Sequence, residues 1–457
     1  MRKKTGGSIY SGASPEEVAR DLAPLVDFRD EGMSLAELSA LVEERLLPHL
    51  MRYDRPSFQS MFNAFPESGA EYGARTALEW NQGVTNWQVS PGGAMLEEMC
   101  CKAICRLFGL DEAAGATFMY CGTYANQQAL YMALHRRAEV DGFDLARKGI
   151  AGFGGAARLK VLCSSDAHFS LRHAARTIGI GEEGIVELPV DGNRRVEVSG
   201  LRRALDEMRA QAEAFCVVAT AGTTSTGAVD PVRDIAAVCR DEDVWMHVDG
   251  AYGLAYSLVP GWNPLFAGLE LADSVSWDPH KQFGVPIPNS ILFARRESDF
   301  ARMALHSDYF NIEESDEPNP GLKSPPSTRP LTALSLVASL LHQGLAGVRE
   351  RLKAPLAAVG GLHARLGSDK GFEVLHEPDT GILCFRVIPS GGVAEERLDE
   401  LQQGIYERMM AGGERTISIT RIGDRKALRL VAVSPSVSAD DLIETAVAAR
   451  DMATGMI

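Results

Sequence analysis

The sequence predicts an α/β protein: a mostly parallel central sheet with helices on both faces, followed by a smaller C-terminal α+β domain. Three observations carry this expectation. Between about residues 115 and 295, short apolar runs rich in β-branched residues or cysteine alternate with helical patterns, as βαβ units do. The chain has 457 residues, which suits one large domain plus a smaller one. Beyond a long helical stretch, two further strand-like runs sit among amphipathic helices.

The elements follow in order. Residues ~15 to ~50 read as helices opened by two capping boxes, Ser14 with Glu17 and Ser34 with Glu37. An irregular aromatic-rich stretch, "RYDRPSFQSMFNAFPESGAEYGA", precedes two helical segments that run to about residue 108. Strands are expected at "ATFMYC", "RLKVLCSS", "GIVELPV", "FCVVATAG", "VWMHVDG" and "SVSW", most of them separated by helices such as "YANQQALYMALHRRAEV" and "DPVRDIAAVCRDED". "SILFARRESDFARMA" reads as a strand followed by a helix. The proline-rich "NIEESDEPNPGLKSPPSTRP" reads as a long loop leading into a helix from Leu331 to Leu352, with later strands at "GILCFRVIP" and "ALRLVAVSP". The expected division is 1–85 (helical), 86–330 (large α/β domain) and 331–457 (small α+β domain).

Composition narrows the function classes. The formal charge of -15 argues against nucleic acid or an anionic membrane as a main partner, while leaving room for a local basic pocket. No apolar run approaches the ~20 residues that span a bilayer. The start, "MRKKTGGSIYSGASPEE", is basic without an apolar core and reads as a terminus rather than an export signal. The eight cysteines sit mostly inside apolar segments, as reduced core residues in a cytoplasmic protein do. A zinc reading of Cys100, Cys101 and Cys105 needs a second ligand pair, which the sequence does not offer at suitable spacing.

In open parallel sheets, ligands bind beyond the carboxyl ends of the strands, so the residues standing there are the informative ones. Gly122, Thr123 and Tyr124 follow the first strand and open a helix, a turn able to cradle phosphate. His168 follows the second, and Thr220 ends "FCVVAT". Asp249 ends "VWMHVD", where a buried carboxylate needs a cationic partner. "SVSW" runs into Asp278, His280 and Lys281. One ligand reconciles these strand ends: pyridoxal phosphate, with an aldehyde for Lys281, a ring nitrogen for Asp249, a ring face for His168 and a phosphate for the Gly122 turn.

These stretches resemble the group II pyridoxal-phosphate decarboxylases, a fold-type-I family that includes glutamate, aromatic amino acid and cysteine sulfinate decarboxylases. "HVDGAYG" is similar to the family's HVDAAYG, "ADSVSWDPHK" to its ADS…PHK, "ATAGTTSTGAVDP" to its T-x-GTT-x-x-GA-x-D, "CGTYANQQAL" to its GGS-x-AN-x-x-AL and "SSDAHFS" to its S-x-x-AH-S. The resemblance runs from about residue 55 to the end. It implies that Lys281 is the Schiff-base lysine, that Asp249 pairs with the ring nitrogen, and that Ala251 and His168 flank the ring. It also implies that Gly122 and Thr123 bind phosphate, that Thr220 and Asp278 support the site, that His280 lies near phosphate and lysine, and that the enzyme is a homodimer acting on an amino acid.

The chain departs from that family in places. Gln282 replaces the tryptophan that usually follows the lysine. The family's mobile loop carries a tyrosine that returns a proton to the substrate carbon; the corresponding segment here has none, and Tyr309 precedes it. Tyr309, His168 or a residue of the partner subunit is then the candidate donor. Arg329 and Arg429 are candidates for gripping an acidic group, or else for structural ion pairs. Phe62, Thr85 and Asn86 are placed as substrate-pocket candidates by position alone. Decarboxylation is the expected reaction, with lyase or aldolase chemistry, transamination, oxidative deamination, or cofactor binding without catalysis as alternatives.

Overall fold

The computed structural model describes residues 8–306, 317–391 and 393–456. It forms two compact units. The larger comprises residues 63–353 with 376–380; the smaller joins the chain up to Phe62 with Ala354–Leu375 and Gly381–Ile457.

The larger unit is built on seven strands: β1 (Gly115–Met119), β2 (Leu159–Ser164), β3 (Ile185–Leu188), β4 (Glu213–Thr220), β5 (Trp245–Asp249), β6 (Ser274–Trp277) and β7 (Ser290–Ala294). Their order is β1-β7-β6-β5-β4-β2-β3. The pairs β6–β5, β5–β4, β4–β2 and β2–β3 are parallel, and β7 runs antiparallel to both of its neighbours. The strands β1, β5, β6 and β7 are buried at every residue, which is why they read as continuous apolar runs. Helix Gly122–Val140 packs Ala125, Ala129 and Met132 into one core cluster with Val161, Val218 and Trp245. Each such fully buried large apolar side chain contributes roughly 1.5–3 kcal/mol. The segment after β7 forms a short 3₁₀ turn, Glu297–Met303, where the sequence predicts an α-helix.

The smaller unit carries an antiparallel sheet in the order β10-β11-β9-β8, from β8 (Phe372–Val374), β9 (Ile382–Val387), β10 (Ser418–Ile422) and β11 (Arg425–Val431). Both N-terminal capping boxes form as expected. The first 62 residues nevertheless group with this unit rather than forming a separate segment 1–85. Ile9 is fully buried and its N–H donates to the Gly413 carbonyl at 2.7 Å, while the Val431 N–H donates to the Gln59 carbonyl at 2.8 Å. The expected helix from Leu331 extends over Ala333–Gly367, interrupted at Gly344 (φ 62°), and the boundary between units falls inside it, after Lys353. Of the eight cysteines, seven are buried and all are free, and no group of metal-ligating side chains occurs among the described residues. No described helix is long and apolar enough to cross a membrane.

Candidate active site

Strand register builds the site. Thr220, Asp249 and Ser276 are paired across β4, β5 and β6, so three neighbouring strands end in one row. Met119 pairs with Ser290 at the same edge of β1 and β7. The chain leaving β6 then turns tightly. The Lys281 N–H donates to the Asp278 carbonyl at 3.0 Å, and the Gly284 N–H to the Lys281 carbonyl at 3.1 Å. Gly284 closes this turn at φ +66°, a conformation that favours glycine. The Lys281 Nζ lies 3.1 Å from Asp278 Oδ2, and the Ser290 hydroxyl donates to Asp278 Oδ1. His280 Nδ1 accepts the Asn289 N–H at 3.2 Å, and its Nε2 lies 3.6 Å from Asp278 Oδ2. Burial pushes the His280 imidazole below its ordinary pKa, with Asp278 opposing.

Asp249 is buried and approached by polar groups from three sides. Asn126 Nδ2 donates to Oδ2 at 2.8 Å, while the Ala251 N–H and the Ser276 hydroxyl reach Oδ1 at 3.2 and 3.3 Å. His168 joins the same electrostatic group. Burial lowers its pKa most, Asp249 raises it, and Lys281 lowers it further. Its Nδ1 accepts the Ser170 N–H at 3.2 Å, so in the neutral ring the proton is on Nε2. Gly122 opens helix Gly122–Val140 without a side-chain cap, leaving first-turn N–H groups for an anion. A Cβ at Gly122 would stand 2.9 Å from Asp278 Oδ2 and 3.2 Å from the Ala251 Cβ, so only glycine leaves this space open. Thr220 Oγ1 is buried and has no hydrogen-bond partner. An uncapped helix start, a space that only glycine preserves, an orphaned hydroxyl, a lysine amine and a buried carboxylate together fit pyridoxal phosphate.

Other expected residues lie elsewhere. Tyr124 is 51% exposed and lines an apolar cavity of about 460 Å³ with Tyr120, Tyr131 and Met303. Arg329 is not a free anion-binding group. It pairs with buried Glu97 and also donates to the Thr117 hydroxyl (3.0 Å) and the Phe118 and Pro320 carbonyls (2.9 and 3.1 Å). Arg429 is a structural residue of the smaller unit, bonded to Ser418 Oγ (2.8 Å) and the Ser60 carbonyl (3.0 Å), with the Phe62 ring 5.4 Å away. The Thr85 hydroxyl donates to the Ser327 carbonyl, and Asn86 Oδ1 accepts the Val89 N–H at 3.1 Å, so both fix loops. Tyr309 lies outside the described residues. Residues missed in the sequence are Asn126, His247, Ser276 and Ser290. The signal available for His247, Ser276 and Ser290 was polar side chains within fully buried strands, and for Asn126 a polar side chain on the buried face of helix Gly122–Val140, where each needs a partner.

Fold and site together define a pyridoxal-phosphate enzyme. Residues 15–388 match the pyridoxal-dependent decarboxylase conserved domain, and the chain belongs to that family. It is 29% identical over 378 residues to the L-2,4-diaminobutyrate decarboxylase of Acinetobacter baumannii, covering 79% of this chain and 73% of the relative. It is 28% identical to an acidic amino acid decarboxylase of Mus musculus, covering 94% and 78%. In fold it resembles the glutamate decarboxylase domain of a Vibrio parahaemolyticus diaminobutyrate-pyruvate transaminase and L-2,4-diaminobutyrate decarboxylase. The TM-score is 0.89 at 23% identity, covering 99% of this chain and 92% of the other.

Proposed function

We propose that this carboxy-lyase removes the α-carboxylate of an amino acid as carbon dioxide and releases the amine, with Lys281 and Asp249 at the centre of the reaction. The observation that carries the reading is that a lysine amine, held by Asp278, and a second, buried and hydrogen-bonded carboxylate, Asp249, follow neighbouring strands at the same edge of the sheet. When bound, pyridoxal phosphate supplies a carbonyl for the amine and a ring that draws electrons from the substrate carbon.

The protein's own groups then divide the work. Lys281 Nζ holds the carbonyl, and Asp278 fixes where that amine rests. Asp249 keeps a proton on the ring nitrogen. Gly122 and Thr123 take the phosphate with backbone N–H groups, and His280 stands beside lysine and phosphate. Ala251 and His168 would flank the bound ring, and Thr220 would offer it an unpaired hydroxyl. His168 Nε2 carries the proton available for return to the substrate carbon.

Relatives named for basic and acidic amino acids share similar identity with this chain, so the test is a panel. Purified protein loaded with cofactor is given basic, acidic and aromatic amino acids, and products are read by mass spectrometry. Equimolar carbon dioxide and amine from at least one substrate is the expected result. Keto acid, or aldehyde with hydrogen peroxide, would replace this reading by transamination or oxidation, and no turnover would leave a cofactor-binding protein.

The proposal includes a cytoplasmic homodimer. Free, buried thiols support a reducing compartment. Exposed Tyr72, Leu78 and Trp80 on helix Ser68–Trp80, with exposed Leu341, support a partner on the larger unit. Light scattering should give twice the 49.4 kDa chain mass; a monomer that turns over substrate would refute the dimer.

A further inference from the structure

A directed chain of hydrogen bonds runs behind Asp249, and every member of it is buried. Trp245 Nε1–H donates to Ser274 Oγ at 2.9 Å, and Ser274 Oγ lies 2.9 Å from His247 Nδ1. His247 Nε2 lies 3.0 Å from Asn126 Oδ1, which also accepts the Ser276 hydroxyl at 2.9 Å. Asn126 Nδ2 donates to Ser170 Oγ at 2.9 Å and to Asp249 Oδ2 at 2.8 Å. Trp245, His247, Ser274 and Ser276 are wholly inaccessible to solvent, and Asn126 is nearly so.

Donor and acceptor counting leaves one arrangement. Turning the Asn126 amide over would set its oxygen against Asp249 Oδ2, two acceptors in contact. Its oxygen therefore faces His247, and Nε2 must carry hydrogen. The Ser274 oxygen already receives the indole N–H, so its own hydrogen is free for Nδ1. A neutral ring with the proton on Nε2 satisfies every group. Burial favours that neutral ring, pushing the His247 pKa below its ordinary value against the pull of Asp249.

We infer that His247 is a positioning residue: through Asn126 it fixes Asp249 as a carboxylate aimed at the cofactor's ring nitrogen. Trp245 and Ser274 set the histidine tautomer, the tautomer sets the amide, and the amide sets the carboxylate. This rests on the reading of Asp249 as the ring-nitrogen partner. None of these side chains need touch substrate.

A double-mutant cycle on cofactor affinity tests it, with apoprotein titrated with pyridoxal phosphate. His247→Leu should weaken binding ~10-fold, the scale of one charge-assisted hydrogen bond. In an Asp249→Ala background the same change should cost less than ~2-fold, because the residue it acts through is gone. His247→Gln, which keeps a donor near the Nε2 position, should restore most of the affinity. An equal loss in both backgrounds would reduce His247 to a packing residue and overturn the inference. If Asp249→Ala alone changes neither affinity nor rate, it is the ring-nitrogen reading that fails. Nitrogen-15 histidine spectra of the apoprotein provide a readout that needs no cofactor and no folded leucine variant. The signal lost in His247→Gln should show a neutral ring protonated on Nε2 at pH 7; a cationic ring or the Nδ1–H form would overturn the chain of inference.

Discussion

Lys281→Ala is expected to abolish the visible absorbance of the cofactor-bound protein and to reduce turnover by roughly three orders of magnitude or more, the loss of a covalent anchor and proton carrier combined. The fold should survive. Lys281 is partly exposed and forms an ion pair with Asp278, which keeps the Ser290 hydroxyl as a partner. Circular dichroism and the thermal midpoint should therefore stay close to wild type. Lys281→Arg separates charge from nucleophilicity: the guanidinium keeps a cation beside Asp278 but does not lose its proton near neutral pH, so it forms no imine. It should be as inactive as the alanine variant. Borohydride reduction followed by peptide mapping gives an independent check, with the trapped adduct expected on the peptide holding Lys281 in wild type and absent from both variants. Normal turnover by Lys281→Ala would remove the residue from the chemistry altogether.

Lys281, Asp249 and Thr220 stand out in the sequence as site candidates for a simple reason. A charged or hydroxyl-bearing side chain at the end of a strand buried on both faces calls for a partner or a ligand: Thr220 and Asp249 close their apolar runs, and Lys281 follows its run within four residues. The parallel sheet was legible from the same runs. What was not legible depends on distant chain. Asn126 meets Asp249 across 123 residues and His247 across 121, so the supporting chain emerges only once the strands are in register. Arg329 looked available because its partner Glu97 lies 232 residues away. Tyr124 shares the first helical turn with Gly122, but the helix rotates roughly 100° per residue, so two steps carry its side chain away from the cradle. The grouping of the first 62 residues with the C-terminal sheet rests on backbone bonds such as Ile9 to Gly413, which leave no local pattern. β8 has three residues and β10 carries Thr420 and Arg421, so neither presents an apolar run.

Asp249→Asn is the sharper chemical test, because it changes charge while preserving shape. The amide at position 249 has no negative charge with which to hold a proton on the ring nitrogen, so the cofactor ring loses much of its pull on electrons at the substrate carbon. A fall in kcat of at least ~10²-fold is expected, the usual scale for removing one preorganised electrostatic contact in a buried site. KM should change far less, since the groups proposed to hold phosphate and amine are untouched. The substitution also disturbs the supporting chain. If the new amide presents its nitrogen to Asn126, then Asn126 must turn its oxygen toward it, which brings its own Nδ2 against His247 Nε2–H. If it presents its oxygen, the contact with Asn126 survives, but its nitrogen then faces the Ala251 N–H, two donors together. Either arrangement leaves one buried group unpaired, at a cost of about 1–3 kcal/mol. The variant should therefore unfold at a lower temperature than wild type while still binding cofactor through Lys281. An Asp249→Asn protein with wild-type kcat would show that the ring nitrogen is handled by some other group, and the role given to the row of strand ends would have to be rebuilt around it.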